Sequence, residues 1–159
     1  MTTSINKIMK NRKNKKGFSL IELIVVLVIM AILAAALVPT LVGYIRQTRQ
    51  SNATNEAAAC VSAAQTIASS AFADPLGVYH NNTSGGSDVT ISTSPYTFTT
   101  ADDGVVKALA EVSGTPSAIT ITDGKVTALT YQTANGITVA YTTNDSGVGS
   151  YAVSYSKQN

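Results

Sequence analysis

Residues 23–42 read LIVVLVIMAILAAALVPTLV, with no charged side chain among them. As a helix rising about 1.5 Å per residue, a run of that length crosses a hydrocarbon core of about 30 Å. A helix that is apolar all round has no solvated face, so this stretch must be taken up by lipid or by other apolar chains. Whatever folds in water has to be made from the rest. Six of the eleven basic residues, Lys7, Lys10, Arg12, Lys13, Lys15 and Lys16, precede the run. By the positive-inside rule they hold that end in the cytoplasm and send the C-terminal part outward, which predicts a single pass of the cytoplasmic membrane, N-terminus in.

All nine acidic residues lie after Gly17. A chain cut there would keep five basic and nine acidic residues, a formal charge of −4, so direct nucleic-acid binding is not expected. Cys60 is the only cysteine, which rules out an internal disulfide and a cysteine-based zinc site within one chain. It reads as a small apolar residue on a helix. His80, the only histidine, falls in a loop, and no Gly-x-Ser-x-Gly elbow surrounds any serine. Asp102 and Asp103 read as first-turn helix acids, and Gly147-Val148-Gly149 precedes a strand rather than a helix. The expectation is a non-enzyme with no catalytic residue, no metal site and no cofactor.

After the apolar run, Ala53, Ala57, Cys60, Ala64, Ile67 and Ala71 recur at alternating spacings of four and three, one face of a helix that ends at Asp74-Pro75. One continuous helix from Phe18 to Ala73 is predicted, its second half packed through this small-residue stripe on its own domain. Residues 76–88 have loop chemistry, with Gly85-Gly86 as a flexible point. A short helix is predicted over 102–112, capped by Thr99 or Thr100. Beyond it the period changes to two, over residues 118–122, 125–133, 137–143 and 150–156. Asp123-Gly124, Asn135-Gly136 and the 144–149 cluster separate them as hairpin signals. Ile119/Ile121, Ile137/Val139/Tyr141 and Tyr151/Val153/Tyr155 supply alternating faces. The predicted fold is α+β, a long N-terminal helix, half membrane-spanning and half amphipathic, packed against a small antiparallel sheet. The boundaries read as leader 1–17, apolar helix 18–42, amphipathic continuation 43–74 and β-rich head 75–159.

The junction Lys15-Lys16-Gly17-Phe18-Ser19-Leu20-Ile21-Glu22-Leu23 carries the most specific signal. A basic leader ends in Gly, Phe follows, and Glu stands four residues later at the head of an uncharged span that contains Pro39. In that combination the segment from Lys15 to about Leu41 resembles the N-terminus of type IV prepilins. The resemblance implies a pilin-like fold, cleavage after Gly17 by a membrane-embedded prepilin peptidase, and N-methylation of Phe18. It further implies assembly into a helical homo-oligomeric filament by an inner-membrane platform and an assembly ATPase system. The filament would be extracellular, serving adhesion, motility or DNA uptake. A pseudopilin or minor pilin of a type II secretion or competence system shares this N-terminal signal. The missing disulfide leans towards a Gram-positive or anaerobic source.

The residues support this physically. Gly17 has no side chain to hinder a protease and weakens helix continuity at the bond to be cut. Glu22 is costly at the start of a membrane span unless paired, and the new Phe18 amine of a neighbouring subunit is a candidate partner that would set axial register. Its own Phe18 amine, one turn away, is the alternative. Pro39 lacks a donor for the Ala35 carbonyl and should kink or loosen the helix there, with Gly43 as a second weak point. An ordinary secretory signal cut at Ala34-Ala35-Ala36 competes, but an acid at Glu22 weakens such a signal for no gain.

Overall fold

The computed structural model describes residues 17–82 and 86–155. The basic leader before Gly17, Gly85 of the expected flexible point and Ser156 of the expected last strand lie outside the described residues. The chain divides into two units, with the boundary between Tyr44 and Ile45.

One helix, α1 (Leu20–Ala73), contributes to both. In the N-terminal unit every helical residue is exposed, the Leu, Ile and Val side chains included. The backbone stays helical across Pro39 and Gly43. Just beyond the proline, the Thr40 hydroxyl donates to the Leu37 carbonyl at 2.8 Å, a side-chain donor in the turn where the backbone lacks one.

In the C-terminal unit the small-residue stripe is buried as its spacing predicts. Ala53, Ala57, Cys60, Ala64, Ile67 and Ala71 are covered, and Ala63 and Ala68 join them. They share one core with Val89, Phe98, Val105, Val106 and the inner face of the sheet. The predicted short helix is α2 (Thr100–Ala110). Thr99 caps it: the Asp102 N–H donates to the Thr99 hydroxyl at 3.4 Å, and the Asp102 carboxylate accepts the Thr99 N–H at 2.8 Å. This reciprocal box fixes the start two residues before the expected one, and Glu111 in the left-handed region (φ 53°) ends the helix.

Among the described residues seven strands follow α1: β1 (Val78–Tyr79), β2 (Val89–Thr90), β3 (Tyr96–Thr97), β4 (Thr115–Thr122), β5 (Lys125–Gln132), β6 (Ile137–Thr143) and β7 (Gly149–Tyr155). β1 and β2 pair as a small antiparallel ribbon around the segment expected to be loop. The other five form an antiparallel sheet in sequence order, β3 to β7. The fold is thus α+β and pilin-like, an apolar N-terminal helix with a five-stranded antiparallel sheet.

Burial along β4 and β5 does not keep one phase. Pro116 is buried, and then Ile119 and Ile121, because Ala118 and Ile119 together oppose one residue of β5. Ala118 takes φ 51° there. A second extra residue, Thr127, shifts β5 between Val126 and Leu129. Each bulge moves the inward set by one residue, and the two together keep the strands matched.

The hairpin turns are of two kinds. Asp123 (φ 50°) and Gly124 (φ 75°) both lie at positive φ, as a tight two-residue connection requires. The other two turns are longer, residues 133–136 and 144–148, each with glycine in the left-handed region: Gly136 (φ 77°) and Gly147 (φ 77°). They share a closure. Ile137 N–H donates to the Thr133 hydroxyl at 3.0 Å, and Val148 N–H donates to Asn144 Oδ1 at 2.8 Å.

Candidate functional site

The N-terminal junction is built by a helix start. Residues 17–19 are not helical and are exposed, and α1 begins at Leu20, so Ser19 occupies the N-cap position. Glu22, three residues on, turns its carboxylate back to accept the Ser19 N–H at 2.9 Å. That satisfies one of the donors a helix start leaves open, and places a negative group at the positive end of the helix dipole. Phe18 and Leu23, the positions flanking this cap, line one apolar groove with Ile21, Val25 and Val26, the arrangement of a hydrophobic staple. Its sequence signal is the spacing Ser19-x-x-Glu22.

Two chemical consequences follow. The Gly17-Phe18 bond sits outside the helix and is exposed, and among the described residues a side chain added at Gly17 would meet nothing. Phe18 itself is 82% exposed beside the Glu22 carboxylate, one turn from where a new amine would form. Pro39 and Gly43 lie far along the helix and are not part of this constellation.

In the C-terminal unit the polar groups that reach the core act as fasteners. Gln65 accepts the Val126 N–H at 3.0 Å and donates to the Gly124 carbonyl at 2.7 Å, which ties α1 to the β4–β5 hairpin. The Tyr131 hydroxyl, fully buried, donates to the Glu56 carboxylate and accepts the Gly114 N–H at 2.9 Å. Burial, then the bond to Glu56, push this phenol up to about 12. A side chain at Gly114 would collide with the Gln132 carbonyl and the Tyr131 hydroxyl. Cys60 is buried, and that burial, then the Glu56 charge, raise its thiol to about 11. His80 lies in an exposed loop with Nδ1 3.0 Å from Asp88 Oδ2. The Asn81 N–H, first, and the His80 bond hold Asp88 below its usual range. Among the described residues no three metal-ligating side chains come together.

Residues 12–38 match the family described as the prokaryotic N-terminal methylation motif. No curated protein and no solved structure matches the chain. Among the described residues α1 alone is long and apolar enough to cross a membrane. The motif points to a structural protein, implies processing by a prepilin peptidase and pilus assembly machinery, and fits membrane anchoring before assembly. This chain therefore carries, at residues 12–38, the class III signal of type IV pilins, on the apolar N-terminal helix of a pilin-like fold.

Proposed function

We propose that the chain is the structural subunit of a type IV pilus. Residues 18–42 hold it in the cytoplasmic membrane with the leader inside, until cleavage after Gly17 and methylation of Phe18 release it for assembly. The filament is a helical homo-oligomer built through α1, with Glu22 pairing the Phe18 amine of a neighbour. Pro39 and Gly43 mark where the helix can loosen as the filament bends or stretches. The observation that carries this reading is the methylation motif at residues 12–38, running into a helix whose apolar side chains are all exposed over residues 20–44.

Intact-mass measurement of the chain purified from membranes and from sheared fibres tests it. The mature species should begin at Phe18 and carry one added methyl group. A terminus at any other bond sinks the proposal. A correctly cut chain that is scarce in sheared fibres would place it instead among pseudopilins or minor pilins.

A further inference from the structure

The first cationic side chains after the apolar run are Arg46 and Arg49, and no other arginine follows Gly17. Three residues apart on α1, they share a side of the helix. With Asn135, Ile137 and Tyr155 they line a cleft of about 400 Å³ in the C-terminal unit. The Tyr155 hydroxyl also reaches Gln50 Oε1 at 3.4 Å, which sets the ring against the helix. Among the described residues neither guanidinium has an ion pair or a hydrogen bond. The one acid lining the adjoining cleft that Arg49 shares is Glu56, and its carboxylate accepts the Tyr131 hydroxyl. Two like charges are therefore held close together with their donors open, an arrangement that costs stability unless an anion occupies it.

We propose that this cleft holds the phosphate of an anionic phospholipid headgroup in the outer leaflet while the subunit resides in the membrane, an inference that rests on the membrane anchoring proposed above. Depth is the first argument. With residues 23–42 in the hydrocarbon core, Arg46 follows the last of them by about 6 Å of helix, which is within the headgroup layer. Chemistry is the second. Guanidinium groups offer paired donors that match phosphate oxygens, and the exposed Tyr155 ring beside them suits the glycerol and first methylenes of a lipid. Charge is the third. The chain after Gly17 is net −4, and these two residues reverse that sign at the level where an anionic bilayer surface would otherwise repel it. Bound lipid would act as a retention latch, to be stripped when the subunit is drawn into a filament.

The test is native mass spectrometry of the full chain from mixed micelles holding equal parts of phosphatidylglycerol and phosphatidylcholine. The wild type should retain phosphatidylglycerol in preference. The Arg46→Gln/Arg49→Gln pair should lower its apparent affinity about thirtyfold, taking about fivefold for each guanidinium near the surface. Arg46→Lys/Arg49→Lys keeps the charge but loses the paired donors and should fall between. Circular dichroism should show all three folded alike, since neither arginine has a partner to lose among the described residues. Equal retention by the Gln pair overturns the proposal. So does displacement of the lipid by inorganic phosphate at matched concentration, which would make the cleft a free-anion site. Loss of self-association without loss of lipid would assign it to a second copy and also overturn it. Alkaline extraction of membranes separates the two readings. A wild-type chain that washes out of the bilayer sinks the anchoring itself, whereas one that stays in while lipid retention is indifferent to both arginines sinks only the headgroup site.

Discussion

The two stretches of α1 obey the same backbone geometry and opposite side-chain rules. Over residues 20–44 the helix carries Leu, Ile, Val and Met on all sides and exposes them. Over residues 45–73 it carries polar side chains outward and buries a stripe in which Ala53, Ala57, Ala64 and Ala71 are at most 1% exposed. The difference lies in what covers each stretch. A sheet laid against a helix leaves room for methyl groups, because its own Ile119, Leu129 and Tyr131 fill the space. A helix to be covered by fluid lipid or by copies of itself has no fixed partner surface and presents large side chains everywhere.

The sharpest way to break this contrast is Glu22→Leu, which makes the first stretch wholly apolar. On the pairing proposed above, cleavage after Gly17 should persist while filaments become scarce, because removing one partner of a buried ion pair costs about 3–5 kcal/mol. Electron microscopy of sheared fibres beside a membrane immunoblot reads both. Normal fibre yield would show the intersubunit pair to be dispensable, and loss of cleavage would place Glu22 in peptidase recognition. A matched pair of substitutions comes next. Ala64→Leu should destabilise the C-terminal unit by about 1–3 kcal/mol through overpacking, whereas Ala34→Leu should leave its thermal unfolding unchanged. Equal effects would dissolve the distinction.

Within the covered stretch, Tyr131→Phe strips a partner from Glu56 and from the Gly114 N–H. It should cost roughly 1–2 kcal/mol in urea unfolding, below the full penalty because water can reach half-buried Glu56. The smallest expected effect concerns Asp103, whose Oδ1 is buried without a hydrogen-bond partner among the described residues. Burial, then the neighbouring Asp102 charge, raise its carboxyl to about 6. The folded state therefore binds the extra proton between about pH 4 and 6. Stability falls as pH rises across that window, and the cost is complete above it. Asp103→Asn should flatten this part of the stability profile and add about 1 kcal/mol or less at pH 7, discounted for partial exposure. An unchanged profile would show the carboxyl to be well solvated.

What the sequence makes legible follows from how local each signal is. The stripe from Ala53 to Ala71 and the Asp123-Gly124 turn are written in neighbouring residues, and the structure has both. The phases of β4 and β5 are not, because the bulges at Ala118 and Thr127 are settled between two strands and leave no local mark. β1, β2 and β3 have two residues each, too few for any period; β1 and β2 are held by pairing with each other, and β3 by pairing with β4. The junction at Gly17 and Phe18 is a linear signal read by another protein, so it stands in the sequence whole. The cap between Ser19 and Glu22 is equally local, standing in the Ser-x-x-Glu spacing. The cleft at Arg46 and Arg49 could not be seen, since Asn135 arrives from the turn between β5 and β6 and Tyr155 from β7, about a hundred residues away in the chain.

Cys60 gives the molecule a clock. Its thiol is sealed between helix and sheet, and burial raises it to about 11, which disfavours the reactive thiolate at neutral pH even before access is considered. A maleimide or an oxidant can reach it only when the C-terminal unit opens. The rate at which the thiol is modified then counts openings of the head directly, in a membrane, in a detergent or in a fibre, with no label added to the chain.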